Sequence, residues 1–247
     1  MTRARKGVIQ VAPGIRRLSG GIANMYLVSD GGRCTLVDAG TPKDWNLFAT
    51  TIGRIAMLDA VLLTHAHADH IGVAERARQE TGAAVRVHAA DAEVARTGKI
   101  GKTEVGVGKY LLRPEFYVTA FSLLRRGGTK IVPVAEVATF EDGETLDVPG
   151  RPRVVHAPGH TLGACALLFE GSRALLTGDC LVTHNALTAR DGPQVMPSAF
   201  NVDTQHALRS LDVFSGIEAD VVLPGHGLPW TGGVGEAVHR ARGAGPS

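Results

Sequence analysis

Cysteine is scarce in this 247-residue chain: Cys34, Cys165 and Cys180 are three in number, unevenly spread and without CxxC spacing. An odd, scattered set excludes a disulfide framework and fits a reducing, cytoplasmic setting. Charge of one sign is also missing. Twenty-six basic against 24 acidic residues leave a net charge of +2, so nothing calls for nucleic acid or an anionic membrane as partner. No apolar run approaches the ~20 residues that span a bilayer. The basic start, Met1 to Gly7, is not followed by an apolar stretch of the secretory kind, so no signal peptide is expected. Low-complexity sequence is absent, and only Gly243 to Ser247 read as frayed. With 44% hydrophobic residues the chain can bury a sizeable core, and its length suits a single domain over 1–247.

What the chain does have is histidine in one place. Thr64-His65-Ala66-His67-Ala68-Asp69-His70 puts three imidazoles and a carboxylate within six residues, directly after the apolar run Ala60-Val61-Leu62-Leu63. Ionisable groups at the end of a buried strand are costly unless a cation compensates them, and His with Asp suits zinc or a similar divalent ion. Three further segments follow apolar runs in the same manner: Pro158-Gly159-His160-Thr161, Thr177-Gly178-Asp179-Cys180 and Pro224-Gly225-His226-Gly227. Glycine beside these residues lets the backbone turn sharply.

This series, with Asn24-Met25-Tyr26-Leu27-Val28 and Leu36-Val37-Asp38-Ala39-Gly40 ahead of it, resembles the metallo-β-lactamase superfamily from residue 22 to residue 230. The resemblance implies an α/β fold, an αβ/βα four-layer sandwich, and a site for two divalent ions: zinc first, with iron or manganese as alternatives. It implies that His65, His67 and His160 hold one ion, that Asp69, His70 and His226 hold the other, and that Asp179 bridges them together with a hydroxide. Asp69 and Asp179 are thereby the catalytic carboxylates. Asp38 is expected to orient a ligand histidine, the alternative being a plain turn carboxylate.

The spacing of the remaining chain predicts strands over 8–12, 22–29, 33–38, 59–64, 84–88, 151–157, 164–169, 173–177 and 220–223, with short strands within 130–147. It predicts helices over 42–55, 70–81, 89–97, 204–214 and 234–242. The segment 98–128 breaks the strand pattern and carries two of the three tyrosines. It reads as a helical insertion, either a lid that lines the pocket through Tyr110, Phe116 and Tyr117 or a helix packed on the sandwich edge. His184, five residues beyond Asp179, is expected on the pocket rim, as a proton donor to a leaving group or as a simple loop residue. His88, His156, His206 and His239 read as structural or surface residues, Cys180 as packing, and Arg125, Arg126 and Lys130 as an anion contact or a solvated cluster.

The resemblance leans to the glyoxalase II and lactonase branch and implies hydrolysis of an ester, thioester or lactone of a small-molecule substrate. Only 21 residues follow His226, which leaves no room for the glutathione-gripping domain of glyoxalase II. The alternatives are β-lactamase-like amide hydrolysis, a mononuclear-iron sulfur dioxygenase, and a non-catalytic metal-binding module.

Overall fold

A computed structural model describes residues 7–53 and 57–247. Two sheets lie face to face with helices outside each. The first has seven strands in chain order: β1 (Gly7–Ala12), β2 (Ile15–Ser19), β3 (Asn24–Asp30), β4 (Arg33–Val37), β5 (Met57–Leu63), β6 (Ala84–His88) and β7 (Val137–Phe140). β1 to β4 are antiparallel, whereas β4 to β7 run parallel. The parallel crossovers between β4 and β7 use α1 (Trp45–Ile52), α2 (Ala74–Thr81) and α3 (Ala92–Thr97). The second sheet has the order β13-β10-β9-β8, from β8 (Arg153–His156), β9 (Cys165–Phe169), β10 (Ala174–Gly178) and β13 (Val221–Pro224). A separate hairpin, β11 (Val182–Asn185) with β12 (Arg190–Gln194), lies between β10 and β13 in the chain. α5 (Thr204–Ser210) and α6 (Val234–Ala244) cover the second sheet.

The layers follow from the two-residue period of the strands. Along β5, Val61 and Leu63 face the helices, while Ala60 and Leu62 face the opposing sheet. Along β9, Cys165, Leu167 and Phe169 enter the inter-sheet core, and Ala166 and Leu168 pack under α5 and α6. Strands buried on both faces read as unbroken apolar runs, which is why they were visible in the sequence. All three cysteines are free and buried, and burial pushes the Cys34 thiol up to about 11.

Several boundaries shift. Residues 42–44 form a single tight turn before α1, and residues 54–55 of the expected helix lie outside the described residues. The helix expected from residue 70 begins at Ala74, because His67 to Val73 are committed to turn hydrogen bonds, with Ile71 N–H donating to the His67 carbonyl. Only β7 forms within 130–147. The tail is not frayed: α6 continues to Ala244, and Ser247 bonds to both Ser198 and Asn185. The insertion is helical, with α4 (Pro114–Arg126) between α3 and β7. Proline at its first position and left-handed Gly127 at its end delimit it.

Phe169 is buried between the sheets. Phe169→Ala is expected to lower unfolding stability by about 3–5 kcal/mol in urea melts.

Candidate metal centre

The four apolar runs deliver their loops to one place. β5 ends at Leu63 and releases His65 to His70. β8 leads to His160, β10 ends on Gly178 beside Asp179, and β13 ends on Pro224 ahead of His226. The loops are stitched together across the sheets. The Cys165 N–H donates to the Thr64 carbonyl at 3.0 Å, and the Asn24 N–H donates to the Gly225 carbonyl at 2.7 Å. Gly225 is required here by close approach: a Cβ would lie 2.1 Å from Asp179 Oδ1 and 2.7 Å from the His70 ring.

Ligand-type atoms converge in three overlapping groups: His65, His67 and His160; His65, His70 and Asp179; Asp69, His70 and His226, each group spanning no more than 4.8 Å. Asp179 reaches members of both end groups. Its Oδ2 is 3.5 Å from His160 Nε2 and 3.2 Å from His226 Nε2, and its Oδ1 is 3.5 Å from His70 Nε2. Asp69 Oδ2 is 3.4 Å from His226 Nε2. All seven residues predicted from the sequence are therefore brought together.

The outer nitrogens fix how the rings point. His70 Nδ1 faces Asp38 Oδ2 at 2.9 Å, His160 Nδ1 faces Asn201 Oδ1 at 3.0 Å, and His226 Nδ1 faces the Ile22 carbonyl at 3.2 Å. The Asn201 amide is itself fixed by donating to the Met196 carbonyl and Thr204 Oγ1. Thr64 Oγ1 donates to Asp38 and so accepts from His65 Nδ1 at 3.1 Å. Each of these Nδ1 atoms carries a proton, which leaves the Nε2 lone pairs directed inwards. His65 Nε2 and His160 Nε2 then face each other at 3.2 Å with no proton between them, and buried Asp179 Oδ1 has no hydrogen-bond partner. Such a set is unfavourable alone and fits divalent cations.

Electrostatics agree. Burial, reinforced by its neighbouring imidazoles, holds His65 well below its ordinary value, and burial drives His160 down to about 3. His70 is different. Burial opposes its charge, but Asp179 and Asp38 outweigh burial and raise it well above the usual range. His226 is raised against burial by Asp179. Asp179, despite burial, is held well below the usual carboxylate range by His226 and His70. Asp179 thus favours positive charge at His70 and His226, the place that suits a cation.

Some functional supports were not read from the sequence. Asp91, buried at the start of α3, accepts from the Ala66 N–H at 3.0 Å, the Thr161 hydroxyl at 2.8 Å and the Gly163 N–H at 2.8 Å. It ties the His65–His67 loop to the His160 loop. Tyr26 Oη donates to the Pro224 carbonyl, and buried Arg17 donates to the Gly227 carbonyl, both beside His226. Asn201 had no signal beyond being polar.

A cleft of about 380 Å³ opens over the cluster. His184 lines it, with Nδ1 2.7 Å from Asp191 across the β11–β12 hairpin. The insertion lines it too, but through other residues than expected. Val118, Thr119, Ser122 and Leu123 of α4 form the wall. Tyr110 is buried against Leu187 and Ala199, Phe116 packs on that same cluster, and Tyr117 is exposed with its hydroxyl on the Leu111 carbonyl. The helical phase turns residues 118 and 122, four apart, to the cleft and residue 117 away from it. Arg126 is engaged with buried Asp44, and Arg125 lies over the Phe121 ring.

With this geometry in hand, the profile of the metallo-beta-lactamase superfamily matches residues 18–226. The chain belongs to that superfamily. Within it, the chain is 26% identical to the probable metallo-hydrolase YflN of Bacillus subtilis, over 94% of this chain and 91% of the other. It is 30% identical to the atrochrysone carboxyl ACP thioesterase dmxR1 of a Cryptosporiopsis strain, over 70% of this chain but 42% of that longer protein. Among solved structures, the superfamily fold appears in a B3 metallo-beta-lactamase with an active-site glutamic acid, at TM-score 0.68 and 18% identity, covering 98% of this chain and 90% of that one. The di-iron-bound form of TTHA1623 matches at TM-score 0.58 and 26% identity, covering 86% and 90%.

Two outcomes are expected. Asp91→Ala strands two buried N–H groups and a hydroxyl and is expected to cost about 3 kcal/mol or more, read by urea unfolding of chelator-treated protein. Because His70 and His226 are raised, zinc added to chelator-treated protein near neutral pH is expected to release protons, measurable by calorimetry in buffers of different ionisation enthalpy. Uptake then weakens as pH falls.

Proposed function

We propose that the protein is a dinuclear metal-dependent hydrolase of esters, thioesters or lactones, acting as one domain that spans 1–247. The observation that carries this reading is the position of Asp179, whose two oxygens lie between the His65–His67–His160 and Asp69–His70–His226 groups. His65, His67 and His160 would hold one divalent ion, Asp69, His70 and His226 the second, and Asp179 both, with zinc as the leading candidate and iron or manganese as alternatives. Ions bound there lower the pKa of a shared water and polarise a substrate carbonyl, which is what hydrolysis of an acyl bond needs.

The chain's own groups do the rest. Asp38, Asn201 and the Ile22 carbonyl keep three imidazoles in the ligating tautomer. Asp69 sits on the cleft side of the cluster, where its carboxylate can orient a water for attack. His184 faces the same cleft, and with Nδ1 on Asp191 its Nε2 is left to exchange a proton with the leaving group. The α4 wall limits access of bulk water from one side.

Thioester hydrolysis is favoured by the thioesterases among the relatives, dmxR1 and pkgB of Emericella nidulans. Iron as the metal is compatible with the di-iron-bound form of TTHA1623, and a mononuclear-iron redox enzyme is the alternative reading. Metal analysis of purified protein, with turnover of a panel of thioesters, esters, lactones and β-lactams, separates them. Two zinc ions per chain and chelator-sensitive hydrolysis are expected, with Asp179→Ala losing most metal and at least ~10²-fold in kcat/KM. One iron per chain and no hydrolysis would overturn the reading.

A further inference from the structure

The cleft over the cluster has an unusual lining. Among the described residues that form it, the charged side chains are all at the metal-type floor, Asp69 and Asp179, and no lysine or arginine contributes. Its walls are apolar, from Ile100, Val118, Leu123, Met196, Pro197 and Phe200, with a few neutral hydroxyls between. Of the basic side chains on this side, Arg126 is bound to Asp44 and Lys109 to Ser198, while Arg125 lies over the Phe121 ring.

The apolar wall does not stop at the mouth. Val118 lines the cleft yet is 70% exposed, and Phe121 and Leu124, three and six residues on along α4, are 60% and 67% exposed. At helical spacing these three make one continuous apolar strip from the cleft to the outer surface. α4 buries none of its residues, so this strip is not a core face of the sandwich.

We propose that the cleft and the α4 strip form an acyl-binding tract, and that the substrates are acyl compounds with an extended hydrocarbon chain. This rests on the hydrolase reading for the reaction but not for the binding. The acyl carbonyl sits over the Asp179 cluster, the chain runs past Met196 and Phe200, and its distal methylenes leave along Val118 towards Phe121.

The test separates binding from turnover. Binding of a neutral, non-hydrolysable series, butanamide to octanamide, is measured by calorimetry on the metal-loaded protein. Affinity is expected to rise about fourfold per methylene. Val118→Asp is expected to flatten the chain-length slope. Leu112→Ser, at a site 98% exposed and off the cleft, is expected to leave it unchanged. The matching acyl thioesters are then assayed for turnover. Turnover without a chain-length slope in binding overturns the tract and leaves the hydrolase reading standing. A slope that Val118→Asp removes, without turnover of any ester, thioester or lactone, supports the tract and overturns the hydrolase reading. A slope that Val118→Asp leaves intact overturns the tract.

Discussion

Five imidazoles and two carboxylates are held within reach of one another under the mouth of a cleft, and Asp179 stands between them. Left alone, such a cluster repels itself. The pair His65 and His160 shows this directly, since both Nδ1–H groups donate to their outer partners and both Nε2 lone pairs look at the same point. The fold maintains this unfavourable arrangement by fixing each ring from behind. Metal affinity in such a site is the return of electrostatic energy that folding has stored.

The second layer of contacts is therefore as much a part of the centre as the ligands. Asp38 sits at φ 55°, a backbone conformation that few residues other than glycine adopt, and from there its carboxylate reaches Thr64 and His70 together. Asp91 joins two ligand loops, and Asn201 holds a third ring. Each is buried and each has its hydrogen bonds satisfied by the loops it steadies. Strain and burial of this kind concentrate at functional sites and are supported by the rigid strands around them.

Much of this was legible because the ligands lie on loops that follow unbroken apolar strands, and because His and Asp at such places have few structural uses. The helical insertion followed from the break in that strand pattern, and the four layers from the family resemblance those segments carry. Other parts had no local signal. β2 is silent in the sequence because Arg16 and Arg17 interrupt its alternation, yet Arg17 is buried and reaches the loop beside His226. The β11–β12 hairpin gives no strand signal because its strands are short and β12 carries Gly192 and Pro193. Asp91 reads locally as an ordinary carboxylate at a helix start, and only the tertiary fold brings Ala66, Thr161 and Gly163 to it. For α4 the residue types were right and the facing was not. Aromatic content suggested Tyr110, Phe116 and Tyr117, whereas helical phase turned Val118 and Ser122 to the cleft.

The slight attachment of α4 has a consequence for how such a protein can change over generations. The helix buries no residue, and its polar ties to the rest are few, with Arg126 on Asp44 and Thr119 on the Ala186 carbonyl. Substitutions along it alter the wall of the cleft without opening a cavity in either core, so they are spared the stability penalty that restrains the strands. Reaction chemistry and substrate preference are then written in separate parts of the chain, and drift in one leaves the other intact.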